Sequence, residues 1–172
     1  MDSILVFVIT FVLFMAVWIV ALLIGRAINQ KKLGNFRKYI KERLPEIDPE
    51  KEQILIAKQK SKQVSPDIAL LMPDALQEII ILVDEKGAGI IQKTYGYDDL
   101  TAFRSLDQIL SRGFFPKTYS YEETLQMDFN DEKSYQMVLE NISNKQGNDQ
   151  GADVIRNIFA PWRRKLTEIL EK

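Results

Sequence analysis

The chain has 172 residues, enough for one ordinary domain plus appendages, with 46% hydrophobic and 27% charged residues and a net charge of −1. It contains no cysteine and no histidine, which excludes disulfides, structural zinc sites, Ser-His-Asp and Cys-His nucleophile arrangements, and imidazole acid–base catalysis. An oxygen-ligand site for Mg²⁺ or Ca²⁺ stays open, because it needs only carboxylates and carbonyls.

From Ile4 to Ile24 run 21 residues with Thr10 as the sole ordinary polar side chain, and 16 of them are Leu, Ile, Val or Phe. At about 1.5 Å per residue such a helix is roughly 31 Å long, the thickness of a hydrocarbon core. The pattern predicts a transmembrane anchor over residues 1–25. A cleaved signal peptide fits less well: Asp2 stands where a basic n-region belongs, the apolar run is too long, and no Ala-x-Ala site follows.

Residues 26–43 hold seven Lys/Arg against Glu42 alone, whereas 44–172 hold 16 basic and 22 acidic residues. The positive-inside rule then places the N-terminus outside and the C-terminal body in the cytoplasm, in a single-pass cell-membrane protein. Leu33, Phe36, Ile40 and Leu44 form one apolar stripe, so residues 26–47 read as a basic amphipathic segment beside the membrane. Lys31, Lys32, Arg37, Lys38 and Lys41 are its candidate contacts with anionic headgroups, at about 1 kcal/mol per basic residue. The plainer alternative is that these charges only fix topology. Asp48 before Pro49 reads as a helix start, with Asp as N-cap.

Residues 48–172 form the remaining domain. Ile54 to Ala57 is a short buried strand or a turn of helix, which periodicity cannot arbitrate. Residues 76–95 predict a hairpin: Ile79 to Val83 is β-rich, Asp84 to Gly87 is a turn signal, and Ala88 to Tyr95 returns. Tyr97 to Phe103 predicts a turn entering a short strand, and 106–118 reads as irregular. Tyr119, Tyr121, Leu125, Met127 and Phe129 share one parity, predicting a half-buried antiparallel strand paired with 135–139. Asn141 to Gly151 is a polar loop. Ile155, Ile158, Phe159, Trp162, Leu166, Ile169 and Leu170 make the apolar face of a last helix, which Pro161 is expected to kink or to start. The fold class is α+β: a transmembrane helix, then a small antiparallel sheet or partly open barrel closed by a C-terminal amphipathic helix.

A hairpin ending in Val83-Asp84-Glu85, the Tyr97-Asp98-Asp99-Leu100-Thr101-Ala102-Phe103 step, the polar strand pair, and a final helix closing on Trp162 and Leu166 resemble a group of uncharacterised Gram-positive domains similar to pleckstrin-homology-like folds. The resemblance covers residues 76–172. It implies a bacterial source and supplies no activity.

Few residues look chemical. Asp98-Asp99 and Glu122-Glu123 are adjacent pairs whose strand neighbours point to opposite faces, so solvated surface charge explains them. Gly87-Ala88-Gly89 lacks a third glycine and a following helix, so a hairpin turn explains it. Trp162-Arg163-Arg164-Lys165 sets an aromatic beside three cations and could dock on a membrane or an acidic partner, yet Trp162 belongs to the apolar stripe. No catalytic residue, cofactor or metal is expected, and the net acidic body argues against nucleic acid. The function expected is a membrane-tethered binding or scaffolding domain with lipid bilayer and unknown protein as partners. The alternative is an accessory subunit of a membrane complex whose span is the working part.

Overall fold

The computed structural model describes residues 2–60, 65–85, 88–112, 118–143 and 149–172. They divide into two units, Met1–Pro45 and Glu46–Lys172. The first is one helix, α1 (Asp2–Arg43), which runs through both the expected anchor and the basic segment without a break at residue 25. Lys41 and Arg43 sit in its last turn, where cations complement the carbonyl end of the helix. Pro45 disfavours helical backbone at Leu44 and ends it.

The transmembrane expectation is corrected here. Among the described residues, no helix is long and apolar enough to cross a membrane. The continuous stretch whose side chains are described is Phe7–Val20, apolar but for Thr10, a length of about 21 Å against the roughly 30 Å of a hydrocarbon core. Positions 4–6, 21, 22 and 24, which would lengthen it, lie outside the residues with described side chains. The single-pass reading and the topology built on it lose that support. What the described stretch does show is apolar exposure on every side, from Phe7 (72%) through Val17 (69%) to Trp18 (54%).

The fold class is corrected with it. Among the described residues the unit after α1 is mostly sheet: seven antiparallel strands in the order β4-β3-β2-β1-β7-β6-β5, with a 3₁₀ turn and one further helix. The strands are β1 (Leu55–Gln59), β2 (Asp67–Leu71), β3 (Glu78–Glu85), β4 (Gly89–Gly96), β5 (Leu100–Arg112), β6 (Thr118–Phe129) and β7 (Ser134–Ser143). A 3₁₀ turn, Tyr97–Asp99, leads into β5, and α2 (Asp149–Leu170) closes the chain. Sheet content exceeds expectation for two reasons. The Ile68-Ala69-Leu70-Leu71 run between Pro66 and Pro73 is a strand, and β5 continues through the region expected to be irregular.

Sequence order and sheet order are related simply. Strands β1 to β4 form one meander and β5 to β7 another, and β1 joins them. It pairs with β2 from Leu55 to Lys58 but with β7 only at Lys58↔Val138 and Gln59↔Met137. Asp48-Pro49 begins a single turn rather than a helix. The Asp48 carboxylate accepts from the Glu50 amide at 3.1 Å, which lowers its pKa below the usual 3.8.

One face of the sheet carries Leu55, Ile68, Leu70, Ile79, Ile81, Leu125, Met127 and Met137, packed with Ile155, Phe159, Trp162 and Leu166 of α2. On β2 and β3 the other face is closed as well, with Ala69, Leu71, Ile80 and Leu82 all at 0% exposure. Pro161 lies inside α2, which continues through it. Gly89 at φ +82 is the hairpin position after β3 that needs a glycine.

Candidate functional site

The charged motifs singled out by sequence separate once placed. Of the basic residues on α1, Lys31, Lys38 and Lys41 are exposed, while Lys32 and Arg37 are half-buried. The apolar stripe between them is not open: Phe36 and Ile40 are 1% and 0% exposed, and Leu33 and Leu44 are half-buried.

Asp98 and Asp99 serve the turn into β5. Asp99 accepts from the Gly96 amide at 2.8 Å and from the Asn130 side chain at 2.6 Å, while Asp98 is exposed. Glu122 and Glu123 do point to opposite faces, but neither is a solvated surface charge, with exposures of 9% and 1%. That expectation is corrected. Glu123 occupies the position in the Tyr121–Phe129 alternation that an apolar residue would fill, and α2 covers it.

Its acceptor positions are occupied. Arg163 on α2 pairs with Oε1 of Glu123, the Ser105 hydroxyl donates to the same oxygen at 2.8 Å, and the Tyr121 hydroxyl reaches Oε2 at 3.4 Å. One turn pair earlier, Arg156 lies 5.3 Å above the Tyr121 ring and 3.5 Å from Asp107. Burial is the leading cause that raises the Tyr121 hydroxyl above its ordinary 10. A carboxylate ringed by a guanidinium and hydroxyls has no room to collect a proton from a substrate; it clamps α2 to β5 and β6.

The Trp162 to Lys165 run is absorbed in the same way. Trp162 is buried, Arg163 is in the clamp, and Lys165 reaches the Met72 carbonyl and Asp74 Oδ1 (2.7 Å), leaving Arg164 as the exposed cation. Beside Lys165 lies a shallow pocket of about 330 Å³ lined by Lys51, Glu52, Met72, Asp74, Pro161 and Trp162. Both lysines are already ion-paired there, Lys51 with Asp48 at 3.1 Å. Among the described residues, no group of three or more Asp or Glu side chains is placed to hold a metal ion.

The open feature is an edge. β5 is last in the sheet order, so among the described residues no strand pairs with the side facing away from β6. It spans 13 residues, about 43 Å of backbone. Its pairing with β6 is regular from Ala102↔Asp128 to Arg112↔Thr118, after one bulge at Leu100/Ala102. Two of its apolar side chains are well exposed, Leu106 at 58% and Ile109 at 67%. The opposite edge, β4, is shorter, with eight residues, and carries exposed Lys93. Ser105 bonded to Glu123 and Asp107 paired with Arg156 tie β5 to the clamp on β6 and α2.

The sequence signals for this edge were weak. Gly113 and Pro116 suggested irregular chain, and an edge strand whose exposed apolar residues, Leu106 and Ile109, fall on both parities shows no clean alternation. No known protein family, curated protein or solved structure matches the chain. The chemistry is therefore read from its own residues.

Proposed function

We propose that this protein is a binding and scaffolding protein, not an enzyme, and that it works by adding a partner's extended segment to the free edge of β5. The observation that carries this reading is the long, regular edge with exposed Leu106 and Ile109. A row of unpaired N–H and C=O groups supplies affinity by main-chain hydrogen bonds, and flanking apolar side chains supply selectivity. The clamp supports the same reading, because a rigid template loses little entropy when a strand docks. A photo-crosslinking residue at Ile109 should give discrete adducts in cells, abolished by Leu106→Lys. The same residue at Lys93 on β4 should give none. Equal adduct patterns at the two positions would remove the reading.

A second reading is favoured by the exposed Phe7–Val20 stretch of α1. A helix apolar on all sides is covered by other apolar groups in the working protein. The chain would then be a subunit held in a complex through α1. Exchanging residues 4–24 for an unrelated apolar helix separates the two, since a scaffolding edge tolerates the exchange and a specific helix contact does not.

A further inference from the structure

We infer that the segment received by β5 is the β5 strand of a second copy of this chain, giving a continuous two-fold-symmetric sheet across the two molecules. The inference rests on β5 being the working edge and names its occupant.

Symmetry restricts how two such strands can meet. When antiparallel strands extend one sheet about a two-fold axis normal to it, each face stays continuous. Residue i then opposes a residue of the same parity, so the axis passes through a residue. The midpoint of Leu100–Arg112 is Leu106. Centred there, Leu106 opposes itself, Phe103 opposes Ile109, Ala102 opposes Leu110, Arg104 opposes Gln108, and Ser105 opposes Asp107. No like charges meet, and the two most exposed apolar side chains of the strand, Leu106 and Ile109, both gain apolar partners.

Neighbouring registers are worse. Centring on Arg104 or Asp107 sets like charges directly opposite. Centring on Ser105 puts Arg104 against Leu106 and Phe103 against Asp107. Centring on Gln108 opposes Arg104 to Arg112 and Ile109 to Asp107. Among these registers, the one centred on Leu106 alone sets no charge against a like charge or an apolar residue, and its axis falls on the middle of the strand. The bulge at Leu100/Ala102 bounds the ladder to residues 102–110.

The chain has no cysteine, so a single one reports position without background. In the full chain under mild oxidation, Leu106→Cys should give a covalent dimer at least tenfold faster than Lys93→Cys on the other edge. Cross-strand Cβ atoms about 4.5–5.5 Å apart bring opposed thiols within reach of a small adjustment. Arg104→Cys chains should couple to Gln108→Cys chains faster than either couples to itself. Adding Ile109→Lys to Leu106→Cys should slow dimer formation at least tenfold, because it removes two apolar pairs per interface. Leu106→Cys coupling no faster than Lys93→Cys, or no effect of Ile109→Lys, would overturn the inference. Ile109 adducts to a different protein, with no Leu106→Cys dimer, would also overturn it while leaving the binding reading of β5 intact.

Discussion

Replacing Arg163 by methionine tests whether the clamp behind β5 is a coupled unit. Arg163→Met takes the guanidinium from a Glu123 side chain that is 1% exposed and leaves it the hydroxyls of Ser105 and Tyr121. Stranding one member of a fully buried pair costs about 3–5 kcal/mol. The Arg163 side chain is itself 32% exposed, so solvent already screens part of the attraction and the expected cost falls to about 2–3 kcal/mol. With a urea slope of about 1.5–2 kcal/mol/M for a domain of this size, the unfolding midpoint should drop by about 1–2 M. Adding Glu123→Leu should restore at least half of that loss, because the buried charge goes with its partner. If the double variant is as unstable as the two single losses combined, the pair is not coupled and the clamp argument fails.

Other perturbations have defined signs. Glu132 holds φ at 63° in the turn between β6 and β7; Glu132→Gly should raise stability by up to about 1 kcal/mol, read as a higher melting temperature. Lys165→Met, which frees Asp74 and the Met72 carbonyl, should cost about 1 kcal/mol in urea unfolding without changing the slope. Burial, with the Tyr135 hydroxyl at 3.2 Å and Asp131 nearby, raises the Tyr95 pKa well above its ordinary 10.0. A raised acid binds its proton more tightly when folded, so this stability is complete below pH 10 and drains away as pH rises beyond it. Tyr95→Phe should flatten the alkaline fall of the melting temperature above pH 10. An unchanged slope would mean another group controls it.

The parts of the fold legible in the sequence were those where one physical pattern dominated. Ile79, Ile80, Ile81 and Val83 are β-branched and a turn signal follows them, so β3 and β4 occupy the expected hairpin over 76–95. The period-2 alternation marked β6, and the period-3.6 stripe marked α2. β2 was silent because both faces are closed: Ile68 to Leu71 are all at 0% exposure, so no polar residue alternates with the apolar ones. The second half of β5 was silent for the opposite reason, since Leu106 and Ile109, on opposite parities, are both exposed. Glu123 was misread because local pattern reports which way a side chain points, not that Arg163, 40 residues on, will cover it. The apolar run at the start of α1 gave the strongest single signal. Length and hydropathy pointed to a span that the described residues do not provide.

The narrow join between β1 and β7 has a consequence for how the chain reaches this structure. Every other strand pairing links neighbours along the chain, so each meander can form from local contacts. The join instead brings Lys58 to Val138, about 80 residues apart, and gains only two register pairs in return. Closing so long a segment is an entropic cost that local strands do not face. The two meanders should therefore assemble early and the join should set the rate, with α2 completing it, since α2 packs on residues from both halves. The same asymmetry applies in reverse under native conditions. The amide of Lys60, bonded to the Gln136 carbonyl at 3.0 Å, should exchange its hydrogen sooner than those of β3. The sheet would then open at its centre before it frays at its best-packed strands.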